Sequence, residues 1–151
     1  MRLVLQRVRR ATVRVDETTI GAIGAGAVVL VGVARGDTPE LADRMADKLI
    51  GLRYFEDDAG MTNRPIDPDA EAFLVVSQFT LLADVRHGRR PGFSRAESPE
   101  LAEALVERFA SSLRAAGYGV ATGRFGASME VELVNDGPFT LLLDSDRDLA
   151  R

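Results

Sequence analysis

Two short segments of this 151-residue chain combine polar groups with a means of holding them still. The first is Ser77-Gln78-Phe79-Thr80-Leu81, which follows an apolar run at residues 72–76 that reads as a buried strand. Hydroxyls and an amide at a strand end can donate to a developing oxyanion or orient a water. They can equally satisfy loose backbone groups where strand gives way to loop. The second is Asn135-Asp136-Gly137-Pro138-Phe139-Thr140. All four leading residue types favour turns, so the plainest reading is a tight hairpin between the last two strands. A Gly-Pro bond can instead be cis, which turns neighbouring carbonyl groups to one side.

Other candidate chemistry is weaker. Gly21-Ala22-Ile23-Gly24-Ala25-Gly26 has the wrong glycine order for a dinucleotide loop, and a β-branched run follows it rather than a helix. Hairpin turns explain it. Glu56-Asp57-Asp58 with Asp67 and Asp69 lacks the ligand periodicity of a calcium loop and reads as solvated. His87 is the single histidine, so two histidines of one chain cannot share a metal. A triad of Ser77 and His87 with Asp84 or Asp144 requires a geometry that sequence does not supply. The absence of cysteine removes disulfides, thiolate ligands and a cysteine nucleophile.

The formal net charge is −4, so a domain-wide basic footprint for nucleic acid is absent. Two local basic patches remain. One is Arg7, Arg9, Arg10 and Arg14; the other is Arg86-His87-Gly88-Arg89-Arg90 with Arg95. Each reads first as a solvated surface and second as a phosphate contact. No apolar run is long enough to span a bilayer, and no signal-peptide pattern opens the chain, which predicts a cytoplasmic protein.

The elements that must position these groups follow from periodicity. Residues 3–15, 18–23 and 27–33 read as strands, the first long or bent and the third buried on both faces. Thr38-Pro39-Glu40 starts a helix whose stripe is Leu41, Met45, Leu49 and Leu52. A short strand at Tyr54 and Phe55 precedes an acidic loop over residues 56–68. Ser98-Pro99-Glu100 starts a second helix with the stripe Leu101, Leu105, Phe109 and Leu113, ended by Gly117. Residues 118–123, 129–135 and 139–143 complete the strands, and residues 144–151 read as a frayed polar tail. The order is β-β-β-α-β-β-α-β-β-β in one domain over residues 1–151. It predicts a mixed α/β (α+β) fold in three layers, with two helices on one face and sheet or subunit packing on the other.

Taken together, Ser77-Gln78-Phe79-Thr80-Leu81 resembles the SQFTL motif of the D-aminoacyl-tRNA deacylases, and Asn135-Asp136-Gly137-Pro138-Phe139-Thr140 resembles their NxGPxT motif. Leu5-Gln6-Arg7-Val8, Gly24-Ala25-Gly26, Arg90-Pro91-Gly92-Phe93-Ser94 and Thr122-Gly123-Arg124-Phe125 are similar as well. The likeness runs from near Met1 to about Leu143, in matching order.

This resemblance implies the deacylase fold and a homodimer that hydrolyses the ester of D-aminoacyl-tRNA. It implies that Gly137-Pro138 is cis and reaches into the partner's active site. There its carbonyl oxygens would hold the substrate's α-amino group and exclude L-amino acids, while glycyl-tRNA would pass. Ser77, Gln78, Phe79 and Thr80 would form the catalytic segment, with Phe125, Met129 and Ala102 lining the terminal adenosine pocket. No cofactor or metal is implied. Two roles for Thr80 stay open, a covalent nucleophile or a positioning group beside an assisting tRNA 2′-hydroxyl. An isolated threonine hydroxyl is a weak nucleophile, which favours the second. A small-substrate esterase using Ser77 or Thr80, and a non-catalytic RNA-end-binding dimer, are the competing readings.

Overall fold

The computed structural model describes residues 1–149. Strand β1 (Arg2–Val15) organises it. One edge of β1 pairs antiparallel with the final strand β8 (Glu130–Asp144), from Arg2↔Asp144 to Arg14↔Glu130. The other edge takes β3 (Gly26–Gly32) along its first half and β2 (Thr18–Ile23) along its second. Beyond β3 the sheet continues in parallel with β6 (Ala72–Ser77) and then β7 (Gly119–Thr122).

The apolar runs of β3 and β6 are buried on both faces. Ala27, Val29, Val31, Phe73 and Val75 join one core, and Val28, Leu74 and Val76 join another. Helices α1 (Pro39–Gly51) and α2 (Pro99–Ala115) cover the first face. The Thr38 hydroxyl accepts a hydrogen bond from the Leu41 N–H, and Pro39 takes the first helical position, which starts α1 where its missing N–H is harmless. The buried face of α1 is Ala42, Met45, Ala46 and Leu49, with Leu41 and Leu52 at its margin. On α2 it is Ala102, Leu105, Phe109, Ala110 and Leu113. Leu101, expected in that stripe, is 58% exposed; four-residue spacing drifts around a 3.6-residue helix, and Ala102 takes the inward position.

The second face is covered by the chain itself. Within β1, Leu3 and Leu5 face the helices, whereas Val8, Ala11 and Val13 face the second core. The change in parity between Val8 and Ala11 coincides with irregular pairing around Val8 and Arg10, so the strand bends there. Its second half folds back with β2, which touches β6 and β7. Helices, sheet and folded-back strands make the three layers of a mixed α/β fold.

Three expectations need correction. The last two strands are one, β8, and the Asn135 to Thr140 segment is a bulge within it rather than a hairpin. The acidic loop contains β5 (Thr62–Arg64), which pairs with β4 (Phe55–Glu56). The polar tail is docked over residues 144–148, where α3 (Ser145–Asp148) forms a helical turn. Asp144 pairs with Arg2 at 2.7 Å, and the Ser145 hydroxyl accepts from the Met1 ammonium at 2.8 Å. Positions 150 and 151 of the expected tail lie outside the described residues.

Candidate active site and the second motif

Strand β6 ends at Ser77, paired with Val31. The Gln78 N–H adds one more ladder bond to the Val31 carbonyl, and the backbone then tightens into the 3-10 turn Phe79–Leu82. Gly32 makes this turn possible: a Cβ there would stand 2.5 Å from Leu82 Cδ2 and 3.0 Å from the Gln78 carbonyl oxygen. The turn borders a cavity of about 490 Å³. Ser77, Gln78 and Phe79 form one wall; Ala96, Glu97, Pro99 and Ala102 at the start of α2 form a second; Phe125, Gly126, Ala127 and Met129 form a third. Six of the nine residues expected in the site therefore surround one space, although they come from three separate stretches of sequence.

Thr80 is exposed beside this cavity rather than in its lining, and its hydroxyl accepts a hydrogen bond from the Gln78 side-chain amide. Among the described residues, no histidine, lysine or carboxylate bonds to the Ser77 or Thr80 hydroxyl. The triad reading fails in this geometry. Asp84 is bonded twice to Arg86, at 2.9 and 2.6 Å, and Asp144 is bonded to Arg2, while His87 is exposed. The Arg86 guanidinium and backbone N–H hold the Asp84 carboxyl well below the usual carboxylate range. Among the described residues no group of three or more histidine or carboxylate side chains is placed to hold a metal ion. Nor is any helix among them long and apolar enough to cross a membrane.

The second motif lies elsewhere. Pairing with β1 steps from Gln6↔Thr140 to Val8↔Asn135, so β8 loops outward between those pairs. The Asn135 side chain ties the loop from within: its Oδ1 accepts from the Phe139 N–H at 2.7 Å and its Nδ2 donates to the Phe139 carbonyl at 3.2 Å. Gly137-Pro138 is cis, and both residues are exposed. Gly137 has φ +154, and a Cβ on it would stand 2.5 Å from the Phe139 nitrogen. Neither Gly137 nor Pro138 lines the cavity of its own chain.

Arg7, read from sequence as part of a solvated basic patch, is 5% exposed. Its Nε donates to the Asp136 carbonyl at 2.9 Å and its Nη1 to the Tyr54 carbonyl at 2.7 Å. Its guanidinium lies 4.9 Å from the Phe139 ring centroid, a cation–π distance. One buried fork thus clamps both ends of the bulge to the core. Strand parity carried the signal: Arg7 continues the inward Leu3, Leu5 series. Glu97, also missed, stands in the cavity wall with its oxygens accepting from the Ser98 and Gly36 N–H groups.

The sequence matches the model of the D-Tyr-tRNA(Tyr) deacylase family over residues 4–144. A D-aminoacyl-tRNA deacylase of Symbiobacterium thermophilum is 56% identical over 147 residues, covering 97% of each chain. That of Anaeromyxobacter dehalogenans is 57% identical, covering 97% of this chain and 99% of its own. A solved structure titled c-Myc DNA Unwinding Element Binding Protein superimposes with TM-score 0.89 at 39% identity, covering 95% of this chain and 98% of its own. With a family match spanning nearly the whole sequence, and relatives more than half identical to it, the chain belongs to the D-Tyr-tRNA(Tyr) deacylase family.

Proposed function

We propose that this chain hydrolyses the ester joining a D-amino acid to the 3′ end of tRNA, as a proofreading step in translation, and that it works as a cytoplasmic homodimer. Family membership supports the reaction class. The observation that carries the reading is the cavity where the strand-end groups Ser77, Gln78 and Phe79 meet Phe125, Met129 and Ala102. An aromatic face beside an apolar wall suits a terminal adenine, which stacks on such surfaces. The aminoacyl ester then lies against the strand end. Backbone N–H groups and the Ser77 and Gln78 side chains serve as oxyanion donors, each typically worth roughly 100- to 1,000-fold in rate, while the Thr80 hydroxyl positions substrate or water.

In the reaction a water oxygen bonds to the ester carbonyl carbon, and the bond from that carbon to the ribose oxygen breaks. The water proton passes to that ribose oxygen, giving free amino acid and tRNA. Thr80 positions substrate, a role supported by the fact that among the described residues no base bonds to its hydroxyl; the neighbouring ribose 2′-hydroxyl assists. This chemistry needs no metal or cofactor.

Selection against L-amino acids is assigned to Gly137-Pro138 of a second copy. Both residues are exposed and outside the cavity of their own chain, which fits a role in trans. Their carbonyl oxygens would hold the α-amino group, so an L side chain would collide with backbone while a D side chain points away. Glycine has nothing to collide, so glycyl-tRNA mischarged on the alanine tRNA is also a substrate. Purified protein should release tyrosine from D-Tyr-tRNA and leave L-Tyr-tRNA intact. Hydrolysis of neither leaves only an RNA-end-binding module, and equal hydrolysis of both removes the chiral reading.

A further inference from the structure

The two basic patches differ in what their charges already do. In the first, Arg7 is buried, Arg9 is bonded to Asp136 at 3.2 Å and Arg14 to Glu132 at 2.7 Å. Among the described residues of that patch, Arg10 alone has no acceptor. In the second patch the balance is reversed. The segment from Asp84 to Arg95 holds four arginines and one carboxylate, in a chain whose net charge is −4. Arg86 consumes that carboxylate. Among the described residues, the Arg89, Arg90 and Arg95 side chains have no hydrogen bond and no ion pair, and all three are exposed.

This segment is a built loop. Asp84 and Gly92 exchange both backbone hydrogen bonds, at 2.7 and 2.8 Å, which closes a small hairpin carrying Arg86 to Arg90. Beyond it the Phe93 ring meets the edge of Phe79, with centroids 5.0 Å apart. The Arg95 carbonyl accepts from the Arg35 N–H at 2.9 Å, and the next residue, Ala96, lines the cavity. The stretch that closes the hairpin is therefore fastened to the cavity wall at two points, through Phe93 on Phe79 and through Ala96, and Arg89, Arg90 and Arg95 are carried on or beside it. An aminoacylated nucleotide seated there is joined to a polynucleotide whose phosphates must leave across a rim.

We infer that Arg89, Arg90 and Arg95 form a phosphate-binding rim that grips the RNA strand leading away from the cavity. This rests on the deacylase reading above. The rim supplies affinity without base reading, since phosphate contacts position a strand and carry no sequence information. It also reconciles an acidic protein with a polyanionic substrate: attraction is local to the loop, while the rest of the surface repels RNA that does not present an end.

The test is binding of an uncharged acceptor-stem RNA hairpin ending in CCA, titrated at several salt concentrations. The proteins are the full chain, the triple variant R89A/R90A/R95A, and the charge-matched control R14A/R53A/R147A, whose arginines have partners in Glu132, Asn63 and Asp148. Each single-strand phosphate contact adds about 0.7 to the slope of log affinity against log salt. Loss of three contacts should flatten the slope by about 2 and weaken low-salt binding on the order of tenfold or more. The control should stay within about twofold, as expected for arginines away from the strand.

Activity gives a second arm. With D-Tyr-tRNA the triple variant should raise KM with little change in kcat. With D-tyrosyl-adenosine, which has no phosphates, KM should not move. An unchanged slope in the triple variant, an equal loss in the control, or no hairpin binding by the parent overturns the rim. Binding as expected, with no hydrolysis of D-Tyr-tRNA by any protein, keeps the rim and removes the deacylase reading.

Discussion

The strand-end segment at Ser77 and the bulge at Gly137 both hold backbone polar groups rigidly, yet they do so by opposite means. Ser77 to Leu82 is fixed chiefly by continuation of a parallel sheet and by the close approach of Gly32, with a single charged contact, from the Arg2 guanidinium to the Leu81 carbonyl at 3.0 Å. The bulge is fixed by polar side chains, with Asn135 inside it and the buried Arg7 beneath it. The first faces a cavity of its own chain, while the second projects into solvent. Groups that stabilise a developing charge work best where water is excluded, whereas a steric filter supplied to another copy must project. The division of labour proposed above follows from that contrast.

The contrast breaks most severely at Arg7. Arg7→Ala leaves the Tyr54 and Asp136 carbonyls without their donor and opens a void under Phe139. Loss of about 2–4 kcal/mol in stability is expected by chemical denaturation. Arg7→Lys should recover little, because an ammonium cannot reproduce the planar fork. Near-parental stability of Arg7→Ala would mean that the bulge holds itself.

Gly137→Ala is the next largest. Its Cβ cannot be placed without moving Phe139, so the bulge must shift while the cavity stays intact. Discrimination between D-Tyr-tRNA and L-Tyr-tRNA should fall by roughly 10- to 100-fold, with the D rate largely kept, since shifts of about 1 Å have effects of this order. Loss of D hydrolysis with selectivity unchanged would assign the bulge a catalytic role instead. Thr80→Ala should cost less than about tenfold in kcat, whereas a nucleophile would cost about 10,000-fold or more.

The smallest effect lies far from both regions. Asp43 joins the helices by accepting from Arg108 and Ser112, and the Arg108 guanidinium holds its carboxyl down at about 2. A depressed carboxylate stabilises the fold above its ordinary range and loses that contribution as pH falls through the folded value. Thermal melts of Asp43→Asn should lie slightly below the parent near neutral pH, and the two should converge as pH approaches 2. Salt should shrink the difference, because the pair is exposed.

Much of this was legible in the sequence where local chemistry decides. Thr38-Pro39 and Ser98-Pro99 mark the starts of both long helices, and the apolar runs of β3 and β6 mark strands buried on both faces. Ser77, Gln78 and Phe79 stood out locally as polar chemistry at a strand end, whereas Phe125, Met129 and Ala102 were named from likeness to a family, since nothing local brings them to Ser77. Tertiary pairing overrode local rules elsewhere. Asn-Asp-Gly-Pro is turn chemistry, yet β1 pairs on both sides of it and keeps β8 one strand. The C-terminal stretch reads as polar, yet Arg2, the Met1 ammonium and the packing of Leu149 on the helix-side core hold it. Arg7 looked like its neighbours in a basic run, and only its strand parity set it apart.

The most direct test of a site shared between two copies is a mixing experiment. Ala102→Trp fills the cavity and leaves the bulge intact; Gly137→Val displaces the bulge and leaves the cavity intact. Neither alone should hydrolyse D-Tyr-tRNA while sparing L-Tyr-tRNA. After unfolding and refolding together, mixed dimers hold one cavity facing one intact bulge, and D-selective hydrolysis should return toward a quarter of the parental rate, the share of intact sites under random pairing. If the mixture stays as poor as its parts, the bulge does not act across subunits and the account of chiral selection is wrong.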